Sequence, residues 1–216
     1  MDKTNQTFEH EDFSHQDLQN TTFENCRFYQ CRFEHTDLRD ATFINCRFIQ
    51  PSDLEGCSFR YAKLKDASFS NCMLAMCLFD NADCVGIELR KCDLKGASFH
   101  RTNFANRVSN TVFFCSAYIT GCNLAYTNFE QTVLEKCDLF ENRWNGANLS
   151  GASFKGSDLS RGEFSPEQWG TFNIEESDLT HVELEGLDIR RVSLYGVKIC
   201  DWQQEQLLSP FGLIII

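Results

Sequence analysis

Proline and glycine, which punctuate linkers, are scarce in this chain, at three and twelve of 216 residues. That scarcity excludes a linker-rich or disordered protein. Long apolar runs are missing too, and without eighteen consecutive apolar residues no spanning helix is expected. The N-terminus, MDKTNQTFEHEDFSHQ, has neither a basic n-region nor an apolar h-region, so no signal peptide is expected and the default location is the cytoplasm. Basic side chains are few, with 20 Lys and Arg against 31 Asp and Glu, a net charge of −11 and a pI near 4.9. Such a surface repels phosphates, which argues against direct binding to nucleic acid or an anionic membrane. It can still compete with nucleic acid for a basic partner. The five histidines (His10, His15, His35, His100, His181) are scattered. No carboxylate pair, nucleophile–base set or phosphate-binding glycine loop stands out, so neither an enzyme nor a cofactor is expected.

What the chain does have is twelve cysteines and a period of five. One column reads Phe8, Phe13, Leu18, Phe23, Phe28, Phe33, Leu38, Phe43 and Phe48. It slips by one residue, resumes at Leu54 and Phe59, and runs through Phe79, Leu89, Phe104, Phe114, Ile119, Trp144 and Trp169 to Ile199. Within it only Cys84 and Ser109 are neither aliphatic nor aromatic. Thirty-one of its 39 places are Phe or Leu, where composition alone would fill about eight. A period of five fits neither a helix nor an alternating strand. It fits an all-β solenoid in which each group of five forms one side of a square coil. About 20 residues then complete a turn, and stacked coils pair at about 4.8 Å.

A second column, two residues earlier, is made of small residues: Cys26, Cys31, Thr36, Ala41, Cys46, Cys57, Ala62 and so on. Nine of the twelve cysteines fall there. Small, buried, unbridged thiols are therefore expected. The spacings lack the C-x2-C knuckle of zinc sites, so no metal site is expected. Cys84 fills a central place, Cys115 should face outward, and Cys200 follows the last repeat.

The rhythm breaks twice. Ile49, Gln50, Pro51, Ser52 and Asp53 interrupt it around a proline, which belongs in an extruded turn. The second break spans Thr102, Asn103, Phe104, Ala105, Asn106, Arg107, Val108, Ser109, Asn110, Thr111, Val112 and Phe113. Insertions in a repeat array map to surface loops, often binding loops. Near the end the small column enlarges to Val182, Leu187, Val192 and Val197, which predicts wider final coils. Asp201 as N-cap, with Gln204 reaching back, predicts a helix to about Leu208, stopped by Ser209-Pro210. The chain thus divides into a β-helix over 1–199 and a module over 200–216. The open end of a solenoid needs a cover. Trp202, Leu207, Leu208, Phe211, Leu213, Ile214 and Ile215 are expected to give it, by two-fold dimerisation or by folding back. Residues 1–107 carry a net −3 and residues 108–216 a net −8, so such a dimer would place both acidic halves at the middle of a rod.

Triplets such as Ala41-Thr42-Phe43 and Cys92-Asp93-Leu94 resemble the pentapeptide-repeat family. More narrowly the chain is similar to the Qnr quinolone-resistance proteins, nearest their A-type branch. The stretches that carry this are FYQCRF (Phe28 to Phe33), KCDLKGASF (Lys91 to Phe99), FCSAYITGCNLAYTN (Phe114 to Asn128), LEKCDLFENRW (Leu134 to Trp144), GSDLSRG (Gly156 to Gly162) and GVKICDWQQEQLL (Gly196 to Leu208). The resemblance implies a right-handed quadrilateral β-helix with two extruded loops and a short C-terminal helix. It also implies a homodimer joined at that end that engages DNA gyrase and topoisomerase IV, mimics DNA and protects them from quinolones. The shorter loop (about 49–56) and the longer (about 102–113) would touch the topoisomerase. A plain DNA mimic that inhibits gyrase, and a scaffold with an unrelated target, stay open as alternatives.

Overall fold

The computed structural model describes residues 2–50, 54–107 and 112–213. It winds them into the expected right-handed, four-sided parallel β-helix. The strands are one to four residues long, because each side of the square is only five residues. They are β1 (Asp2–Thr4), β2 (Thr7–Glu9), β3 (Thr22–Glu24), β4 (Arg27–Tyr29), β5 (Thr42–Ile44), β6 (Ser68–Ser70), β7 (Ile87–Arg90), β8 (Ala105–Arg107), β9 (Phe113–Cys115) and β10 (Ala117–Thr120). One wall holds a six-stranded sheet in the order β1-β3-β5-β6-β7-β10. Isolated parallel bridges continue the ladder on all four walls.

The central column fills the tube. On the first wall Phe8, Phe28 and Phe48 stack at 5.0 and 4.9 Å. On the second, Phe13, Phe33, Phe59, Phe79, Phe99 and Phe129 stack at 4.6 to 4.9 Å. The strand spacing imposes that distance, which lies within the favourable range for aromatic pairs. Neighbouring walls meet edge to face, as Phe28 and Phe33 do at 5.4 Å and 71°. Most of these rings are wholly buried, at roughly 2–3 kcal/mol of transfer free energy each.

The small column lines the corners. Its thiols and hydroxyls do more than fit, because many donate to a carbonyl of the preceding coil, as Cys46 Sγ does to Phe23 O at 3.3 Å, Cys122 Sγ to Leu89 O at 3.3 Å and Thr36 Oγ1 to Phe13 O at 2.8 Å. Thr127 and Thr132 instead bond carbonyls of their own coil. Ten of the twelve cysteines are buried thiols. Burial pushes the Cys77 and Cys84 thiols up, away from ionisation.

Register gives the size of each insertion. Partners lie 20 residues apart in Asp12↔Arg32 and Asp83↔Asn103. They lie 26 apart in Arg47↔Met73 and 30 apart in Asp93↔Asn123. The interruptions therefore add six and ten residues, not the single-residue slip expected for the first. Leu54, assigned to the central column, is 85% exposed, and Phe59 takes the next place in the wall. Phe114 is likewise 64% exposed, and Ile119 succeeds Phe104. Thr102, Asn103 and Phe104, assigned to the longer loop, belong to the wall: Thr102 and Phe104 are buried and Asn103 bridges Asp83.

The C-terminal end departs by one residue from expectation. Helix α1 covers Gln203–Leu208, and Gln203, not Gln204, reaches back. Its Oε1 accepts from Cys200 N–H at 2.6 Å, while Nε2 donates to Leu179 O and Val182 O at 2.8 and 2.6 Å. Asp201 makes no capping bond because the helix begins one residue later. Gln168 repeats the device, bonding Ser165 N–H, Trp144 O and Ala147 O. There Phe172 enters the core and Trp169 is only partly buried. At the other end Lys3 takes a central place, its ammonium 5.2 to 5.9 Å from the rings of Phe8, Phe13 and Phe23. It closes the tube with a cation.

Candidate interaction site

The loops leave the tube at opposite corners. The first departs after Phe48 on the first wall and returns at Cys57 to Phe59 on the second. The second departs after Phe104 on the third wall and returns at Ala117 to Ile119 on the fourth. Two to three coils separate them, roughly 12 Å along the axis. In the second loop β8 pairs antiparallel with β9, Ala105 opposite Cys115 and Arg107 opposite Phe113, which projects a short hairpin from the wall. Val112, Phe113 and Phe114 on its return limb are exposed. Of the predicted contact residues, Pro51, Ser52, Asp53, Val108, Ser109, Asn110 and Thr111 lie outside the described residues, as do Ile214 and Ile215 of the end module. Ile49 and Gln50 are half-buried at the first corner.

The fourth wall carries a row of acids. Glu88 pairs with Tyr118, then Asp138, Asp158 and Asp178 follow on successive coils, ending at Lys198. Like charges directly opposite one another destabilise a sheet, so this row needs another reason. Part of it is local. Asp158 accepts from Ser160 N–H at 2.9 Å and Asp178 from Thr180 N–H at 3.0 Å, a bond that fixes the turn two residues on. Yet Asn123, Asn128, Asn148 and Asn173 make the same bond at 2.9 to 3.3 Å from the same repeat position. Asparagine serves the turn equally well, and the negative charge of Asp138, Asp158 and Asp178 is an addition to it.

An open corner groove of about 920 Å³ is lined by alternating charges, among them Glu141, Arg143, Arg161, Glu163 and Glu183. Arg143 and Glu163 pair at 3.1 Å. Among the described residues no group of three or more His, Cys, Asp or Glu could hold a metal ion. Among them, too, no helix is long and apolar enough to cross a membrane.

At the last coil Asp188 receives two Arg190 side-chain bonds at 2.8 Å, which hold its carboxyl down to about 2. The Arg190 guanidinium lies 5.3 Å from the Phe211 ring. Ile189, Trp202, Phe211 and Leu213 are exposed there, while Leu207 is buried and Leu208 half-buried.

Comparison with known proteins accords with this geometry. The family pattern described as a pentapeptide repeat region matches residues 21–99, and that for pentapeptide repeats matches 116–142 and 134–165. The gap between the two sets falls on the second insertion. The chain belongs to the pentapeptide-repeat family. It is 76% identical over 144 residues to pentapeptide repeat protein VPA0095 of Vibrio parahaemolyticus, 67% of each chain. It is 48% identical over 81 residues to pentapeptide repeat protein QnrB4 of Escherichia coli, 38% of each. The structure of full-length QnrB1, described as a plasmid-mediated fluoroquinolone resistance protein, superposes with a TM-score of 0.93 at 42% identity, covering 99% of this chain and all of that one. The chain is thus a pentapeptide-repeat protein related to the Qnr group.

The signal that sequence reading missed is the corner residue two places after each centre. Asn5, His10, His15, Asn20, Asn25 and many others there have φ between 52° and 62°. Asparagine, histidine, aspartate and glycine crowd that column because they tolerate the left-handed region best.

Proposed function

We propose that this protein acts by binding, not catalysis, and that its targets are the type II topoisomerases DNA gyrase and topoisomerase IV, which it protects from quinolones. The observation that carries the reading is the end-to-end match to a fluoroquinolone resistance protein, over 99% of this chain and all of that one. It acts as a homodimer joined through the C-terminal end, residues 200–216, with Trp202, Leu207, Leu208, Phe211 and Leu213 at or beside the contact and Ile214 and Ile215 completing it. Within the family its place is nearest the A-type branch, and its location is the cytoplasm. The acidic row on the fourth wall occupies the channel that holds duplex DNA, and the two loops reach the enzyme.

Duplex DNA presents a charge per about 1.7 Å. The aspartate row gives one per coil, about 4.8 Å, so several rows must act together to attract a basic channel. The mimicry therefore supplies approach, and the loops supply the specific contacts. The test is gyrase supercoiling with ciprofloxacin present. Added protein should restore supercoiled product; no restoration over a thousandfold range of concentration would end the proposal. Changing Asp138, Asp158 and Asp178 together to Asn should leave the melting temperature unchanged or higher, since the turn bond survives and the repulsion goes. Protection should then need more protein and depend less on salt.

A further inference from the structure

Two cysteines stand apart from the sealed ladder. Nine of the tube's thiols, from Cys26 to Cys122 but without Cys115, are no more than 2% exposed, and no solute reaches them. Cys115 is partly exposed at the end of β9, the return limb of the second-loop hairpin. Cys137 sits one coil further along, 5% exposed, in the small column. The chain brings them together because Asp138 N–H donates to Ala117 O at 3.2 Å, which stacks the corner holding Cys137 on the corner where the loop returns. Both cysteines line one surface depression with Ser116, Ala117 and Tyr118. Their thiols donate to carbonyls two residues apart on one stretch of chain, Cys115 Sγ to Val133 O and Cys137 Sγ to Glu135 O, each at 3.5 Å. The neighbouring Cys115 thiol, together with burial, pushes the Cys137 thiol up, so Cys137 keeps its proton, while Cys115 is partly exposed to solvent.

We propose that Cys115 and Cys137 form a peroxide-sensitive thiol pair that closes reversibly to a disulfide and ties the return limb of the second loop to the tube wall. Cys115 is the attacking thiol. As thiolate its sulfur takes one oxygen of a hydroperoxide, the O–O bond breaks, and the other oxygen leaves as hydroxide, giving a sulfenic acid. Cys137, losing its proton, attacks that sulfur and expels hydroxide. Two thiols and one hydrogen peroxide become one disulfide and two waters: the sulfurs are oxidised and the peroxide is reduced. Disulfides that form in a reducing compartment are characteristically of this transient, sensing kind. The cross-link would bear on how far the hairpin can move, whatever the loop binds.

The experiment uses the full chain, treated with hydrogen peroxide, blocked with an alkylating reagent, digested and mapped by mass spectrometry. The expected product is an intramolecular Cys115–Cys137 peptide, with the intact protein lighter by about 2 Da and the change reversed by dithiothreitol. Cys115→Ser and Cys137→Ala should each abolish it, and Cys200→Ser should not. Alanine already fills the same column at Ala117 and Ala147, so Cys137→Ala should fold. If it does not, the wild-type map still decides. Accumulation of Cys115 sulfinic acid with Cys137 unmodified, or a Cys115 bridge to a second copy, would overturn the proposal.

Discussion

Removing residues 105–114 is the sharpest test of how the second loop is built. Cross-coil partners are 20 residues apart before it and 30 across it, so ten residues are in excess. After the deletion Phe104 is followed by Cys115, Ser116, Ala117, Tyr118 and Ile119. Ala117 falls on the small place and Ile119 on the central one, as an unbroken repeat requires. The two ends of the loop already meet, with Ser116 N–H on Phe104 O at 3.1 Å, so the walls need hardly move. Shortening an excursion of about eleven residues to one returns at most about 2 kcal/mol of closure entropy. Losing the three-residue β8–β9 pairing costs about 1–2 kcal/mol. The two nearly cancel. For a chain of this length the melting temperature should stay within about 5 °C of wild type, read by circular dichroism at 218 nm. Protection of gyrase from ciprofloxacin in the supercoiling assay should fall at least tenfold. A variant melting more than about 10 °C lower would refute the register. A stable variant that protects as well as wild type would show that the loop makes no contact and favour plain mimicry by the rod.

Three further outcomes are expected. Gln203→Leu removes the partners of Cys200 N–H, Leu179 O and Val182 O in a fully buried site; it should cost about 2–4 kcal/mol in urea unfolding, and light scattering should show a loss of dimer. Gly186→Ala places a methyl 2.7 Å from Pro166 Cβ and 3.1 Å from two backbone atoms, at φ +84°; because the neighbour is a rigid ring, a loss of about 1–3 kcal/mol is expected, again by urea unfolding. Asp188→Asn tests the Arg190 bond through pH. The folded carboxyl lies at about 2, below its ordinary value of 3.8, so its contribution is complete above pH 4 and disappears as pH falls towards 2. Wild type should therefore melt above the variant at pH 6, and the two curves should converge near pH 2.

The central column was legible because one residue type was needed at one interval and a wrong choice there would bury a polar group. The loops' existence and the cysteine burial followed from the same count, and the helix from its capping residues, one residue away from where it begins. The insertion lengths did not. Leu54 is apolar, has the small Ser52 two places earlier and Gly56 two places later, and so satisfies every local rule of the repeat while lying in the loop. At Phe114 the local rule did fail, since Val112 occupies the small place. What decides membership of a wall is the partner one coil away, and that distance is 20, 26 or 30 residues according to the insertions between.

The corners show the same dependence most plainly. Tyr126 lies flat across the next coil, where a side chain on Gly146 would meet its ring at 2.7 Å, and Met76 covers Gly96 in the same way. A large residue is thus followed one coil later by glycine, along a line the linear sequence does not display. Such pairs link neighbouring coils through the corner rather than the core. They leave the outward rows beside them unconstrained by packing, so that an asparagine can become an aspartate there without disturbing the tube. The acidic row of the fourth wall uses that freedom: its geometry belongs to the fold, and its charge is available for a partner.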